Sequence, residues 1–309
     1  MKNYIKKDEW CIIEKDFHPE YNRVSESLFS IGNGRMGQRG NFEEQYSGDS
    51  LQGNYVAGIY YPDKTRVGWW KNGYPEYFAK VLNAPNWIGI DVFVDNEPLD
   101  LAQCEVVNFK RVLNMKEGYL KRSFIAKTPG GKDVKVNTRR FLSIVDDDCG
   151  VIRFSITPLN FDGKITMIPY IDADVKNEDA NYDEKFWDVL EKKAHEQEAY
   201  ITAKTKKLHF HVCCGMKYEI FRNGHKSDFE SEGTVKEKYV AGKTILDCRQ
   251  GEQIDLVKYT AVLSSLNHKT EDLLEHTRGE LEKILAKGYD KLLEEQVWAW
   301  KKKWEWSDI

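Results

Sequence analysis

Apolar residues recur at every second position over several stretches of this chain, and that period predicts strands. From Ile88 to Val94, the positions Ile88, Ile90, Val92 and Val94 share one face of an extended segment, and Asp95-Asn96-Glu97-Pro98 reads as the turn that ends it. Residues 119–127 and 134–142 flank Thr128-Pro129-Gly130-Gly131-Lys132-Asp133 and predict a hairpin. Residues 150–157 and 165–171 around Asn160-Phe161-Asp162-Gly163 predict a second. Residues 207–214 and 216–221 read as strands that end at the turn pair Asn223-Gly224. In residues 254–263 both alternating faces are largely apolar, which suits a strand covered on both sides.

The period changes in two places. Residues 182–199 carry Phe186, Trp187, Leu190 and Ala194 at near-helical spacing, which predicts one amphipathic helix among the strands. After Asn267, residues 271–287 place Leu273, Leu274, Thr277, Leu281, Ile284 and Leu285 on one stripe, with Gly288 where a helix is usually closed. A further helix follows, with Leu293, Val297, Trp300 and Trp304 on one face. Many short strands and little helix before residue 267 give a mainly β fold: an antiparallel two-sheet sandwich over residues 1–267 and a helical linker over 268–309. Four tryptophans, Trp298, Trp300, Trp304 and Trp306, crowd the end of the linker, and such a stripe calls for a large apolar partner.

Composition narrows the function classes. With 46 basic and 50 acidic residues and a net charge of −4, the chain has no basic footprint, and nucleic acid is not an expected partner. The start, MKNYIKKDEW, has no apolar signal core and no 18-residue apolar run exists, so the expected location is cytoplasmic and no membrane partner is expected. Cys11, Cys104, Cys149, Cys213, Cys214 and Cys248 show no CxxC spacing and read as free thiols. Cys213 and Cys214 would point to opposite faces of a strand.

Candidate chemistry is sparse. GNGRMG, at Gly32 to Gly37, matches a dinucleotide fingerprint, but Gly40, Gly48 and Gly53 interrupt the helix that fingerprint requires, so the glycines read as turns after the strand-like run from Leu28 to Ile31. Glu43-Glu44, Asp146-Asp147-Asp148 and the set Asp172, Asp174, Glu178 and Asp179 read as solvated turns rather than catalytic acids. His209, His211 and Cys213 alternate on a predicted strand, but alternate residues lie about 7 Å apart, awkward for one tetrahedral ion, and no metal site is assigned. The aromatic band at residues 55–87 is the best local candidate. Trp69, Trp70, Tyr74 and Tyr77 beside Asn72 and Glu76 combine rings for stacking on sugar C–H faces with groups that bond hydroxyls; packing at a domain interface explains the same residues.

The segment ESLFSIGNGRMGQRGNFEE, with upstream Trp10, NGYPEYFAKVLNAPNWIGI from Asn72, NEDANYDEKFW from Asn177 and WAWKKKWEWSDI from Trp298, resembles the N-terminal region of glycoside hydrolase family 65, the maltose phosphorylase group. The resemblance implies a large supersandwich of the galactose mutarotase kind, with the tryptophan-rich tail leading into an (α/α)6 catalytic barrel outside these 309 residues. It implies that the general acid and the phosphate pocket lie in that barrel, so no residue here inherits a catalytic role. For the whole protein it implies phosphorolysis of maltose to β-glucose 1-phosphate and glucose, with kojibiose, nigerose and trehalose as alternative substrates. Inorganic phosphate is the co-substrate, no metal or organic cofactor is implied, and the assembly is commonly a homodimer. Two other readings stand beside it: a stand-alone carbohydrate-binding or assembly module, and an epimerase using His209 or His211.

Overall fold

The computed structural model describes residues 4–66 and 73–307. Two antiparallel sheets face one another, and a helix covers the back of the larger. That sheet runs Ile5–Lys7, Cys11–Lys15, Glu105–Asn114, Tyr119–Lys127, Asp133–Leu142, Cys149–Pro158, Ile254–Ser264, His211–Arg222, Glu198–Thr205 and Trp187–His195, with His225–Ser227 paired to His211–Arg222. The smaller runs Glu232–Val235, Tyr239–Cys248, Gly163–Asp172, Ile90–Val94 and Glu97–Pro98. The side chains between them, Val92 and Met167 from one sheet and Phe154, Leu256 and Cys214 from the other among them, form the main core.

The doubly apolar strand sits where its pattern requires. Every residue of Ile254–Ser264 is buried. Ile254, Leu256 and Val262 enter the core between the sheets, while Val257, Tyr259, Ala261 and Leu263 meet the helix on the other side. Cys213 and Cys214 divide in the same way, one into each core. All six cysteines are free.

The C-terminal helix α2, Leu273–Ser307, breaks at Gly288, whose φ of 73° and ψ of 165° close its first half. The predicted stripe docks through Leu273, Thr277, Leu281 and Ile284, and continues beyond the break through Tyr289 and Leu292. Each fully buried Leu or Ile contributes about 1.5–3 kcal/mol, so this helix belongs to the body of the domain as much as to any linker.

Four expectations are corrected. Residues 182–199 hold no amphipathic α-helix: after a 3-10 turn at Asn181–Asp183, Trp187–His195 and Glu198–Thr205 form a hairpin, with a bulge between Val189 and Glu191. The bulge adds one residue to the alternation, and the resulting spacing imitates a helical period. Leu28 does not begin a strand but ends a short helix, α1, Asn22–Leu28, whose inward face is polar: Asn22, Ser25 and Glu26. The strands flanking residues 159–162 do not pair; Cys149–Pro158 and Gly163–Asp172 cross from one sheet to the other. Finally, His209 lies in a turn with φ of 52°, so His209, His211 and Cys213 do not share a strand face.

Candidate functional site

The glycine-rich motif is a hairpin clasp. Ile31–Gly32 pairs with Met36–Gln38, and Gly34 turns the chain at φ of 94°. Asn33 accepts the amides of Arg35 and Met36 at 3.0 and 2.8 Å and donates to the carbonyls of Ser143 and Asp147 at 2.6 and 2.8 Å. No helix opens after it, so no dinucleotide loop forms. The aspartate triplet it grips is a node. Asp147 takes the Arg35 guanidinium at 3.0 Å, Asp148 meets His268 at 3.1 Å, and buried Asp146 holds Lys283 and Lys287 of α2 at 2.8 and 2.6 Å.

Glu43 and Glu44 are not solvated. Arg122 donates to both, and Arg140 pairs with Glu43 at 2.9 Å, all four side chains being buried. Burial alone would raise the Glu43 carboxyl, but Arg140 and Arg122 outweigh it and hold it below the usual carboxylate range. Arg111 pairs with Glu14 at 3.1 Å and, like Arg122, lies over the Phe42 ring. The segment after the motif is thus riveted to the large sheet. Sequence reasoning missed this cluster because its members come from five distant segments whose charges look like ordinary surface residues.

The aromatic band forms an arm. Tyr60–Lys64 pairs only with Tyr77–Val81, making a two-stranded ribbon outside both sheets. Its inner side is seated on residues 177–187. Tyr61 stacks on Phe186 at 4.1 Å and donates its hydroxyl to Glu184 at 2.8 Å. Asp63, buried, pairs with Lys80 at 2.9 Å and accepts the Asn181 amide at 2.9 Å. Asn177 donates to the Val81 carbonyl at 2.8 Å, and Lys207 lies 4.9 Å from the Tyr61 ring centre. Tyr74, Tyr77, Phe78 and Val81 are exposed, as is Glu76; Tyr77 lies 5.1 Å from Lys207, and Phe78 sits opposite Asp63 in the ribbon. Trp69, Trp70 and Asn72 of the predicted set lie outside the described residues.

The linker tryptophans divide. Trp304 donates its indole N–H to the Met115 carbonyl at 3.0 Å, packs edge-on against Trp10 and stacks on Trp300, which lies over Gly118. Those two are half-buried against Trp10, Met115 and Gly118, so part of the partner that the stripe calls for lies within this chain. Trp298 and Trp306 are 61% and 85% exposed and stay available to another surface.

Among the described residues, every acid that is buried has its partner: Glu14, Glu26, Glu43, Glu44, Asp63, Asp100, Asp146 and Asp255 are each held by a cation, an amide or both. No group of three or more His, Cys, Asp and Glu is placed to hold a metal ion among them. No helix among them is long and apolar enough to cross a membrane.

Residues 12–303 match the family model described as the glycosyl hydrolase family 65 N-terminal domain. The chain belongs to glycosyl hydrolase family 65. Maltose phosphorylase of Bacillus subtilis is 40% identical over 304 residues, covering 98% of this chain and 39% of that protein. Alpha,alpha-trehalose phosphorylase and kojibiose phosphorylase of Thermoanaerobacter brockii are 29% and 27% identical, each covering 100% of this chain and 42% and 39% of those proteins. The family 65 chain therefore spans about two fifths of the length of these relatives. A solved structure described as a putative kojibiose phosphorylase from human microbiome superposes with a TM-score of 0.86 at 21% identity, over 97% of this chain and 39% of its own, and shares the fold. The motifs that carried the resemblance are now explained physically: the glycine motif grips the Asp146 node, the 72–90 segment supplies one strand of the arm, and 177–187 is its seat.

Proposed function

We propose that this chain is the non-catalytic N-terminal domain of an inverting α-glucoside phosphorylase, in which a following (α/α)6 barrel carries the general acid and the phosphate site. The whole protein converts maltose and inorganic phosphate to β-glucose 1-phosphate and glucose, in the cytoplasm, as a homodimer without metal or organic cofactor. What supports the reading is that the buried acids described here are already committed to structural partners. Glycoside chemistry needs a proton donor poised in a cavity beside the bond it breaks. Maltose is favoured over kojibiose, nigerose and trehalose by the 40% identity to a maltose phosphorylase.

The arm is the part of this domain that reaches the substrate. Its seat on residues 177–187 is fixed, and Tyr74, Tyr77 and Glu76 are exposed to a neighbour; Trp69, Trp70 and Asn72 belong to the same proposed binding set. In the whole enzyme it walls the disaccharide pocket, while Trp298 and Trp306 lie against the barrel. A stand-alone carbohydrate-binding or assembly module is the second reading, favoured by the same exposed rings. Glucose 1-phosphate release from the four disaccharides by a protein of the relatives' full length tests the substrate. Preferred turnover of maltose is expected; preference for another disaccharide overturns that assignment.

A further inference from the structure

Three cations stand in one row across the helix-covered face of the large sheet. Lys121 lies directly opposite Arg139, and Arg139 directly opposite Arg153, on three adjacent strands. Neighbouring strands are about 4.8 Å apart, and like charges facing one another across a ladder destabilise it. The row lines a cavity of about 230 Å³, smaller than the roughly 300–1,000 Å³ of drug-sized ligand sites and suited to a small ion. Its walls include Lys121, Asn137, Arg139, Arg153, Gln253 and Tyr289, and no Asp or Glu lines it.

Among the described residues, Arg153 alone of the three has a carboxylate partner, Asp255 at 2.6 Å. That carboxylate is fully buried, and both its oxygens are taken, one by Arg153 and the other by the Gln253 side-chain amide at 2.8 Å. It anchors Arg153 and leaves the charges of Lys121 and Arg139 uncompensated. Asp290 lies near Arg153 but does not line the cavity. The two guanidinium groups rest on aromatic rings: Arg139 is 4.8 Å from the ring centre of Tyr119, and Arg153 5.4 Å from that of Tyr289, the residue after the break in α2. Lys121 is exposed and both arginines are half-buried, so their charges reach solvent. Asn137 and Ser155, opposite each other one step along the same face, add neutral hydrogen-bonding groups. Three convergent cations call for a compact anion with several acceptor oxygens, and a phosphate group supplies both the charge and the geometry that arginine matches.

We propose that the row Lys121, Arg139 and Arg153 is an oxyanion site that takes inorganic phosphate or the phosphate group of a phosphomonoester. It does not rest on the phosphorylase reading, whose phosphate pocket lies outside these residues. The test is a calorimetric titration of the 309-residue chain with inorganic phosphate and with glucose 1-phosphate, at constant ionic strength in chloride. One saturable site is expected. Tighter binding of glucose 1-phosphate identifies the ester as the occupant, and tighter binding of phosphate the free ion. Lys121→Gln with Arg139→Gln is expected to weaken binding about tenfold or more, the scale of a lost charge-assisted hydrogen bond. Lys121→Gln alone, at an exposed position, should weaken it about threefold and keeps the test open if the double variant does not fold. Lys164→Gln with Arg249→Gln, in a different cavity, should leave binding unchanged. No saturable binding, undiminished affinity in the Lys121 variants, or equal loss in the Lys164 and Arg249 variant would overturn the site.

Discussion

The ring of Tyr61 lies 4.1 Å from that of Phe186, nearly parallel to it, and this stack joins the arm to its seat. It separates two roles that lie only one strand apart. Phe186→Ala removes the seat and should cost about 3–5 kcal/mol of stability, read from the denaturant midpoint. Tyr77→Ala with Phe78→Ala changes only exposed side chains. In the full-length protein that pair should leave the midpoint almost unmoved and raise KM for the disaccharide roughly 3- to 10-fold, the scale of one or two lost aromatic contacts. An unchanged KM would remove the arm from the substrate pocket.

Gly118 turns at φ of 69°, and a Cβ there would come within 1.9 Å of Trp300 Nε1. Its carbonyl also accepts the Gln296 side-chain amide at 2.7 Å. Gly118→Ala should therefore cost about 1–3 kcal/mol and loosen the second half of α2 specifically. Faster amide exchange beyond Gly288, with the first half unaffected, is the expected signature; uniform exchange would mean that Trp300 is not the docking point.

Burial alone would raise the Asp146 carboxyl, but hydrogen bonds from Lys283 and Lys287 outweigh it and hold it below the usual range. A carboxyl depressed in the folded state binds fewer protons there than in the unfolded chain. Its stabilisation is complete above the unfolded value, about pH 4, and fades as pH falls through the folded one. Asp146→Asn should cost about 1.5–3 kcal/mol at neutral pH, and the gap between variant and wild type should narrow below about pH 4 in thermal melts. A gap independent of pH would contradict the assignment.

Lys258 is buried between the sheets and donates to the carbonyls of Gly89 and Tyr170 at 3.0 and 2.8 Å. Burial drives its ammonium far below the ordinary lysine range. The unfolded chain then binds the extra proton between the folded value and about 10.4, so this group makes stability rise with pH across that window. Lys258→Met should raise stability at neutral pH by about 1–2 kcal/mol and flatten the rise. A destabilised variant with an unchanged pH profile would show that the two hydrogen bonds outweigh the cost of burial.

Much of this architecture was legible because burial on one or both faces leaves a period of two. Ile90, Val92 and Val94 show it on one side, and Ile254–Ser264 on both. The helix stripe and its stop at Gly288 were equally plain. What failed did so for local reasons. A bulge after Val189 turned an alternating strand into an apparent helix, and a helix with Asn22, Ser25 and Glu26 inward carries no apolar period. Strands that switch sheets at residues 159–162 look like a hairpin from sequence, since both alternate. Of the candidate residues, Tyr74, Glu76 and Tyr77 stand exposed on the arm. The buried Glu43–Arg122–Arg140 cluster is assembled from distant segments and leaves no local signature.

The central claim is that these residues shape a phosphorylase without performing its chemistry. Phosphate-dependent release of glucose 1-phosphate from maltose, measured on the purified 309-residue chain and on a protein of the relatives' full length, tests it most directly. Turnover by the longer protein and none by the shorter is the predicted result. Turnover by the 309 residues alone would contradict it.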